Sequence, residues 1–111
     1  MEGRGKRAER RAMWWYRVRG YRILATNVWV GGYELDLVVR RGRRLVFCEV
    51  KEKTGEGFGD AVEMVDAEKR RRLRRAAAAW LGRHPEASRL IVSFDVIAVR
   101  GGRLHRIAQA F

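Results

Sequence analysis

Between Gly31 and Lys53 the chain reads GGYELDLVVRRGRRLVFCEVKEK, and this stretch constrains the fold more than any other. Leu35, Leu37, Val38, Val39, Leu45, Val46, Phe47 and Val50 are what a buried β-hairpin requires, with Arg41-Gly42-Arg43 as its loop. Yet Glu34, Asp36, Glu49 and Lys51 stand inside the same run. A carboxylate in a buried strand is costly unless it is paired or meets a cation. Side chains alternate with period two along a strand. Glu34 and Asp36 therefore share a face, as do Glu49 and Lys51 on the next strand. Leu35, Leu37 and Val39 are then expected on one apolar face, with Val46, Cys48 and Val50 on the partner strand. If the register turns both charged pairs to one side, four charged groups converge.

The rest of the chain supplies a frame for that hairpin. Residues 7–19 read as a helix, with Ala8, Ala12, Trp15 and Tyr16 at spacings of three and four, stopped by Gly20. Residues 21–30 read as a first strand, and Gly31-Gly32 turn the chain. The hairpin strands cover 33–40 and 44–53, followed by a glycine-rich loop, TGEGFG, at 54–59. A long helix is expected from Asp60 to about Gly82, with Ala61, Val65, Leu73, Ala76, Ala77 and Trp80 on its apolar stripe. Its acids, Asp60, Glu63 and Asp66, come early and its arginines late, which suits the helix dipole. Strands at 90–100 and 103–108 close the chain. The order α-β-β-β-α-β-β predicts an α/β layered fold with a mixed central sheet flanked by helices. The helical crossover should make strand four parallel to strand three.

A chain of 111 residues is expected to form a single domain, 1–111. The lone Cys48 excludes an intramolecular disulfide, and with only His84 and His105 beside it a structural zinc site is poorly supplied. No apolar stretch is long enough for a signal peptide or a membrane span, so a cytoplasmic location and no membrane partner are expected. Charge points to the partner. Twenty-five Lys and Arg face thirteen Asp and Glu, a net charge of +12, which favours a polyanion such as nucleic acid.

Carboxylates converging from two strands have two readings. Hard divalent cations take oxygen ligands from one or two carboxylates and complete the shell with water and substrate phosphate. A lysine beside them can orient water or offset charge on the phosphate. Alternatively, Lys51 balances Glu49 or Asp36 in a cross-strand ion-pair network. Three acids against one lysine leave negative charge over, which an apolar neighbourhood penalises unless a cation arrives.

An Asp, a strand, then Glu-x-Lys resembles the signature of PD-(D/E)xK, restriction-endonuclease-like nucleases. The chain is more closely similar to the small YraN-like proteins, related to Holliday-junction resolvases. The resemblance runs through GKRAERRA, GYRILATN, GYELDLVV, LVFCEVK, FGDAVEMVDAEKRRRL, AWL, FDVIAV and IAQAF, in that order. It implies a restriction-endonuclease-like fold, Mg²⁺ or Mn²⁺ as cofactor, and a metal-binding role for Asp36 and Glu49. It also implies a catalytic role for Lys51 and an additional acid, Glu9, from the first helix. Glu34 matches the Glu of the family's Gly-Glu-x-Asp stretch, although Tyr33 here separates it from Gly32.

The implied function is a resolvase-like endonuclease acting on DNA, with a homodimer left open. The alternatives are a non-catalytic nucleic-acid-binding protein of the same fold, and a structural role in which acids and lysine merely pair. For phosphate contact, Lys69 and Arg72 stand out in the run from Lys69 to Arg75, and Arg41 and Arg43 at the hairpin loop. Lys69 is favoured by position and by the resemblance; the rest read equally as solvated surface. Of Trp14, Trp15 and Tyr16 one is expected to be exposed, while Trp29 and Trp80 read as core. Cys48, out of phase with Glu49, reads as a small core residue.

Overall fold

A computed structural model describes residues 4–53 and 66–111. Its elements are α1 (Arg4–Arg17), β1 (Arg22–Val30), β2 (Tyr33–Arg41), β3 (Arg44–Glu52), α2 (Ala67–Gly82), a 3₁₀ turn (Pro85–Ala87), β4 (Ile91–Arg100) and β5 (Arg103–Ile107). The strands form one five-stranded sheet in the order β1-β2-β3-β4-β5. Neighbours are antiparallel except β3 and β4, which the helical crossover makes parallel, as expected. The architecture is α/β with a mixed sheet and two helices, consistent with a restriction-endonuclease-like fold. Among the described residues no helix is long and apolar enough to cross a membrane.

Period-two alternation along the central strands builds two cores. Leu37, Val39, Val46, Cys48, Ile97 and Val99 face α1 and pack on Ala8, Ala12 and Tyr16. Val38, Leu45, Phe47 and Val96 face the other way and pack on Leu73, Ala76, Ala77 and Trp80 of α2. Leu35 departs from the expected pattern: it belongs to the α2 side, not to the face of Leu37 and Val39. The alternation of β2 breaks at the residue between them, Asp36.

The pairing shows why. β2 and β3 pair from Arg41↔Arg44 only as far as Leu37↔Cys48. Their outer ladders continue, β1–β2 to Val30↔Tyr33 and β3–β4 to Glu52↔Val99. The sheet forks at Asp36. There the carboxylate replaces the missing backbone partner: the Val50 N–H donates to Asp36 Oδ2 at 2.9 Å.

Helix α2 is capped at Asp66, whose carboxylate accepts the Lys69 N–H at 2.9 Å. The expected start at Asp60, the TGEGFG loop, Ala61 and Val65 lie outside the described residues. Glu68 is in the first turn, but the last turn carries no basic residue, because the arginines occupy the middle turns. Small residues let α2 approach the β1–β2 turn closely. A Cβ on Gly31 (φ +61) would lie 3.0 Å from Ala79 Cβ and 3.2 Å from Ala76 Cα and the Arg75 carbonyl. Gly31→Ala should therefore cost more than the roughly 1–2 kcal/mol of the left-handed backbone alone. Gly32→Ala (φ +78), with nothing among the described residues within 4 Å, should cost only that backbone penalty. Urea melts of the two variants check the ranking; equal losses would contradict the close approach.

Two tryptophan expectations divide. Trp80 is core, but Trp29 is 68% exposed. Among the described residues β1 is an edge strand, paired on one side only, and Trp29 near its end stays open to solvent. Trp14 is exposed while Tyr16 is fully buried, as a helix carrying three consecutive aromatics demands.

Candidate metal centre

The fork opens into a cleft of about 440 Å³. Its walls include Glu9 from α1, Trp29 from β1, Tyr33, Glu34 and Asp36 from β2, Glu49, Lys51 and Glu52 from β3, and Arg72 from α2. Glu9, Glu34 and Asp36 each place a carboxylate oxygen within 4.8 Å of the other two. Lys51 Nζ lies 3.7 Å from Glu49 Oε1. Glu49 itself is 5% exposed, a buried carboxylate at the inner end of the cleft.

Electrostatics mark Asp36 as the unsettled member. Burial, then a hydrogen bond with Glu49 and the charge of that neighbour, push its carboxyl up to about 8. The Val50 N–H and the Lys51 ammonium pull the other way without cancelling the effect. The one lysine thus leaves the group above its ordinary range. Tyr33 donates to Glu49 Oε2 at 3.4 Å. Burial first, and the Glu49 charge second, push its phenol up to about 12, so it stays a neutral donor.

Asn27 completes the cluster. It adopts a left-handed backbone (φ 49), a conformation that Asn tolerates better than most residues, between the paired positions Thr26↔Leu37 and Val28↔Leu35 of the β1–β2 register. Its Nδ2 donates to Glu9 Oε2 at 2.8 Å, and its Oδ1 accepts from Lys6 at 2.8 Å. Asn27 is therefore a positioning residue: it ties the helix-borne acid to the fork. Sequence alone assigns it no role. An Asn at the end of the apolar run ILAT is the available signal, but its partner can be named only once α1 is docked.

The structure brings together Glu9, Glu34, Asp36, Glu49 and Lys51. It also places Arg72 on the cleft wall, with its guanidinium 2.7 Å from Glu68 Oε1. Lys69 is not among the lining residues. Arg41 and Arg43 are at the opposite end of the hairpin, five or more residues along the strand from Asp36, and do not reach this site. Cys48 faces the α1 core, and burial pushes its thiol well above the usual range, so it is no nucleophile. His84 stacks on Trp80 at 3.8 Å, away from the acids.

Comparison with known proteins places this arrangement in a family. The model described as "Uncharacterised protein family UPF0102" matches residues 8–99. The chain belongs to the UPF0102 family. A UPF0102 protein of Halorhodospira halophila is 42% identical over 108 residues, covering 97% of this chain and 86% of that protein. One of Shewanella amazonensis is 44% identical over 107 residues, covering 96% and 97%. The UPF0102 match spans α1 through most of β4, and so includes every acid of the cleft.

Proposed function

We propose that this UPF0102 protein is a metal-dependent nuclease that hydrolyses phosphodiester bonds in DNA. The observation that carries the reading is the convergence of five carboxylates, Glu9, Glu34, Asp36, Glu49 and Glu52, with Lys51 on an open cleft, in a chain of net charge +12. The donor set is all carboxylate oxygen, which suits Mg²⁺ or Mn²⁺ over softer metals. Asp36, held protonated by burial beside Glu49, fits a site completed by a cation. Glu9, Glu34 and Asp36 would hold it, with Glu49 across the fork. When bound, the cation supplies Lewis-acid polarisation of the phosphodiester.

The chain's own groups do the rest. Lys51, tethered by Glu49, is placed to orient a water in line with the scissile bond and to offset charge developing on the phosphoryl oxygens. The water oxygen forms the new bond to phosphorus as the bond to the leaving oxygen breaks; the water gives up one proton to solvent and the leaving oxygen takes one from solvent. Tyr33 contributes a neutral hydrogen-bond donor and adds no negative charge.

The test is cleavage of labelled single-stranded, flapped and four-way-junction DNA with Mn²⁺, Mg²⁺ or chelator. The wild type should cut only with metal. Lys51→Ala and Glu49→Gln should lose about 10²–10³-fold, the effect of removing one positioned electrostatic group. Absence of cutting under every metal, with nucleic-acid binding intact, would favour the non-catalytic binding protein instead. Cutting by both variants at the wild-type rate would remove these residues from the mechanism.

A further inference from the structure

A second cleft, of about 490 Å³, lies at the other end of the sheet. Trp15, Arg19, Tyr21, Arg41, Arg44 and Arg106 line it, together with Ala108 and Gln109. Four arginines converge there, and no acid is among the lining residues. Among the described residues the only carboxylate engaged by any of them is the buried Asp95, which accepts from Arg106 Nε at 3.0 Å. Arg19, Arg41 and Arg44 have no carboxylate partner among the described residues. Like charges gathered without counter-charge repel one another, and a fold retains such a cluster at a cost that a bound anion relieves.

Three of the four guanidiniums, those of Arg19, Arg41 and Arg106, are also held in place. Arg19 lies 3.9 Å and Arg106 4.8 Å from the centroid of the Trp15 ring, and Arg41 4.6 Å from that of Tyr21. Arg41 donates to the Arg19 carbonyl at 2.9 Å, and Arg19 to the Trp15 carbonyl at 3.0 Å. These arginines each use a ring face or one N–H to fix themselves. A guanidinium has five N–H donors in a planar fork that matches phosphate oxygens, so donors remain for a ligand and little rotamer freedom is lost on binding.

The two clefts are linked by α1, whose Glu9 belongs to one and whose Trp15 lies in the other. Along β2, Asp36 and Arg41 are five residues apart, about 17 Å at roughly 3.3 Å per residue. That is about five nucleotides of a strand rising about 3.4 Å each. Exposed Arg11 lies on α1 between Glu9 and Trp15, and exposed Arg7 and Arg17 flank that stretch.

We propose that the arginine-lined cleft is a second phosphate site, which grips the backbone of a nucleic-acid strand about five nucleotides from the acidic fork. This rests on the nucleic-acid reading above but not on cleavage, so it is tested by binding in chelator. Fluorescence anisotropy of a labelled single-stranded 15-mer and a 15-base-pair duplex would be measured across salt concentrations. Arg44→Glu is the main variant, because the Arg44 side chain has no hydrogen bond or ion pair among the described residues. Arg89→Glu, exposed and outside both clefts, carries the same charge change as control.

Arg44→Glu should weaken binding at least ten-fold with the melting temperature unchanged, and Arg89→Glu less than three-fold. Arg41→Ala/Arg44→Ala should flatten the plot of log affinity against log salt by about 1.4–1.8, at about 0.7–0.9 for each phosphate left without its arginine. Equal losses for Arg44→Glu and Arg89→Glu, or wild-type binding by Arg44→Glu, would overturn the proposal. So would Arg44-dependent binding of AMP or inorganic phosphate with oligonucleotide binding unaffected, which would make the cleft a free-nucleotide site. Arg44-sensitive binding without cleavage under any metal would leave this site standing and sink the nuclease reading. Cleavage with Arg44-insensitive binding would do the reverse.

Discussion

Asp36→Asn should raise the thermal midpoint of the metal-free protein at pH 8.5 and abolish its stabilisation by Mn²⁺. The opposite signs arise from one cause. The Asp36 carboxyl is pushed up to about 8 by burial and by Glu49, so in the fold it resists ionising. In the unfolded chain it titrates near 4. Between those values the native state binds the extra proton, and stability falls as pH rises through that window. Above it the wild type carries the full penalty and Asn carries none. The Asn side chain can still accept from the Val50 N–H through its Oδ1 and can donate to Glu49 through its Nδ2, so the fork remains satisfied. Each kcal/mol recovered shifts the midpoint of a domain near this size by about 4 °C. The gain should vanish at pH 4. With Mn²⁺ at about 100 times its Kd the wild type should recover about 2.7 kcal/mol, and the variant nothing. Scanning calorimetry at the two pH values, with and without metal, measures all four quantities. A variant that melts lower than wild type in chelator at pH 8.5 would mean that Asp36 is a satisfied partner of Lys51, and the ion-pair network would be the better account.

The largest loss of stability is expected far from that cleft, at Asp95. This carboxylate is 1% exposed on the α1 side of β4. It accepts the Tyr16 hydroxyl at 2.6 Å, Arg106 Nε at 3.0 Å and the Gln109 N–H at 3.1 Å. It thereby ties α1, β4 and the segment after β5 together. Burial and the Asp95 charge raise the Tyr16 phenol above its ordinary range, so it remains a donor. Removing one member of a buried charged network strands the others. Asp95→Ala should cost about 3–5 kcal/mol. Tyr16→Phe, which removes one hydrogen bond to a charged acceptor, should cost about 1.5–3 kcal/mol. Urea unfolding with the slope held in common checks both. A loss under about 1 kcal/mol for Asp95→Ala would show that the network contributes little and that the apolar packing around Tyr16 alone holds α1. Because Arg106 also lines the arginine cleft, Asp95→Ala is unsuitable as a probe of binding there.

The sequence is informative where chemistry is local. Alternation in YELDLVV and LVFCEVK places Glu34 with Asp36 and Glu49 with Lys51, and the long helical connection makes β3 and β4 parallel. It fails where the backbone departs from regular pairing. Leu35 lies on the α2 side because the β2–β3 ladder stops at Leu37, and strict period-two reading cannot anticipate a fork. Trp29 reads as core by its size, but strand position decides burial, and β1 is at the edge. Asp95 stands in plain view within FDVIAV, yet its partner Tyr16 is 79 positions away and no periodicity connects them. Arg41 is near the acids in sequence, which suggests a role beside them. A strand turns those five residues into a distance that puts Arg41 in another cleft.

The central claim is that the fork at Asp36 is a seat for a divalent cation, and calorimetric titration of Mn²⁺ into the chelator-treated protein at pH 8 tests it most directly. The account predicts saturable binding in the wild type that is lost in both Asp36→Asn and Glu49→Gln and weakened in Asn27→Ala, which frees Glu9 from its tether. No heat up to millimolar Mn²⁺, or binding that survives Asp36→Asn and Glu49→Gln unchanged, would contradict it.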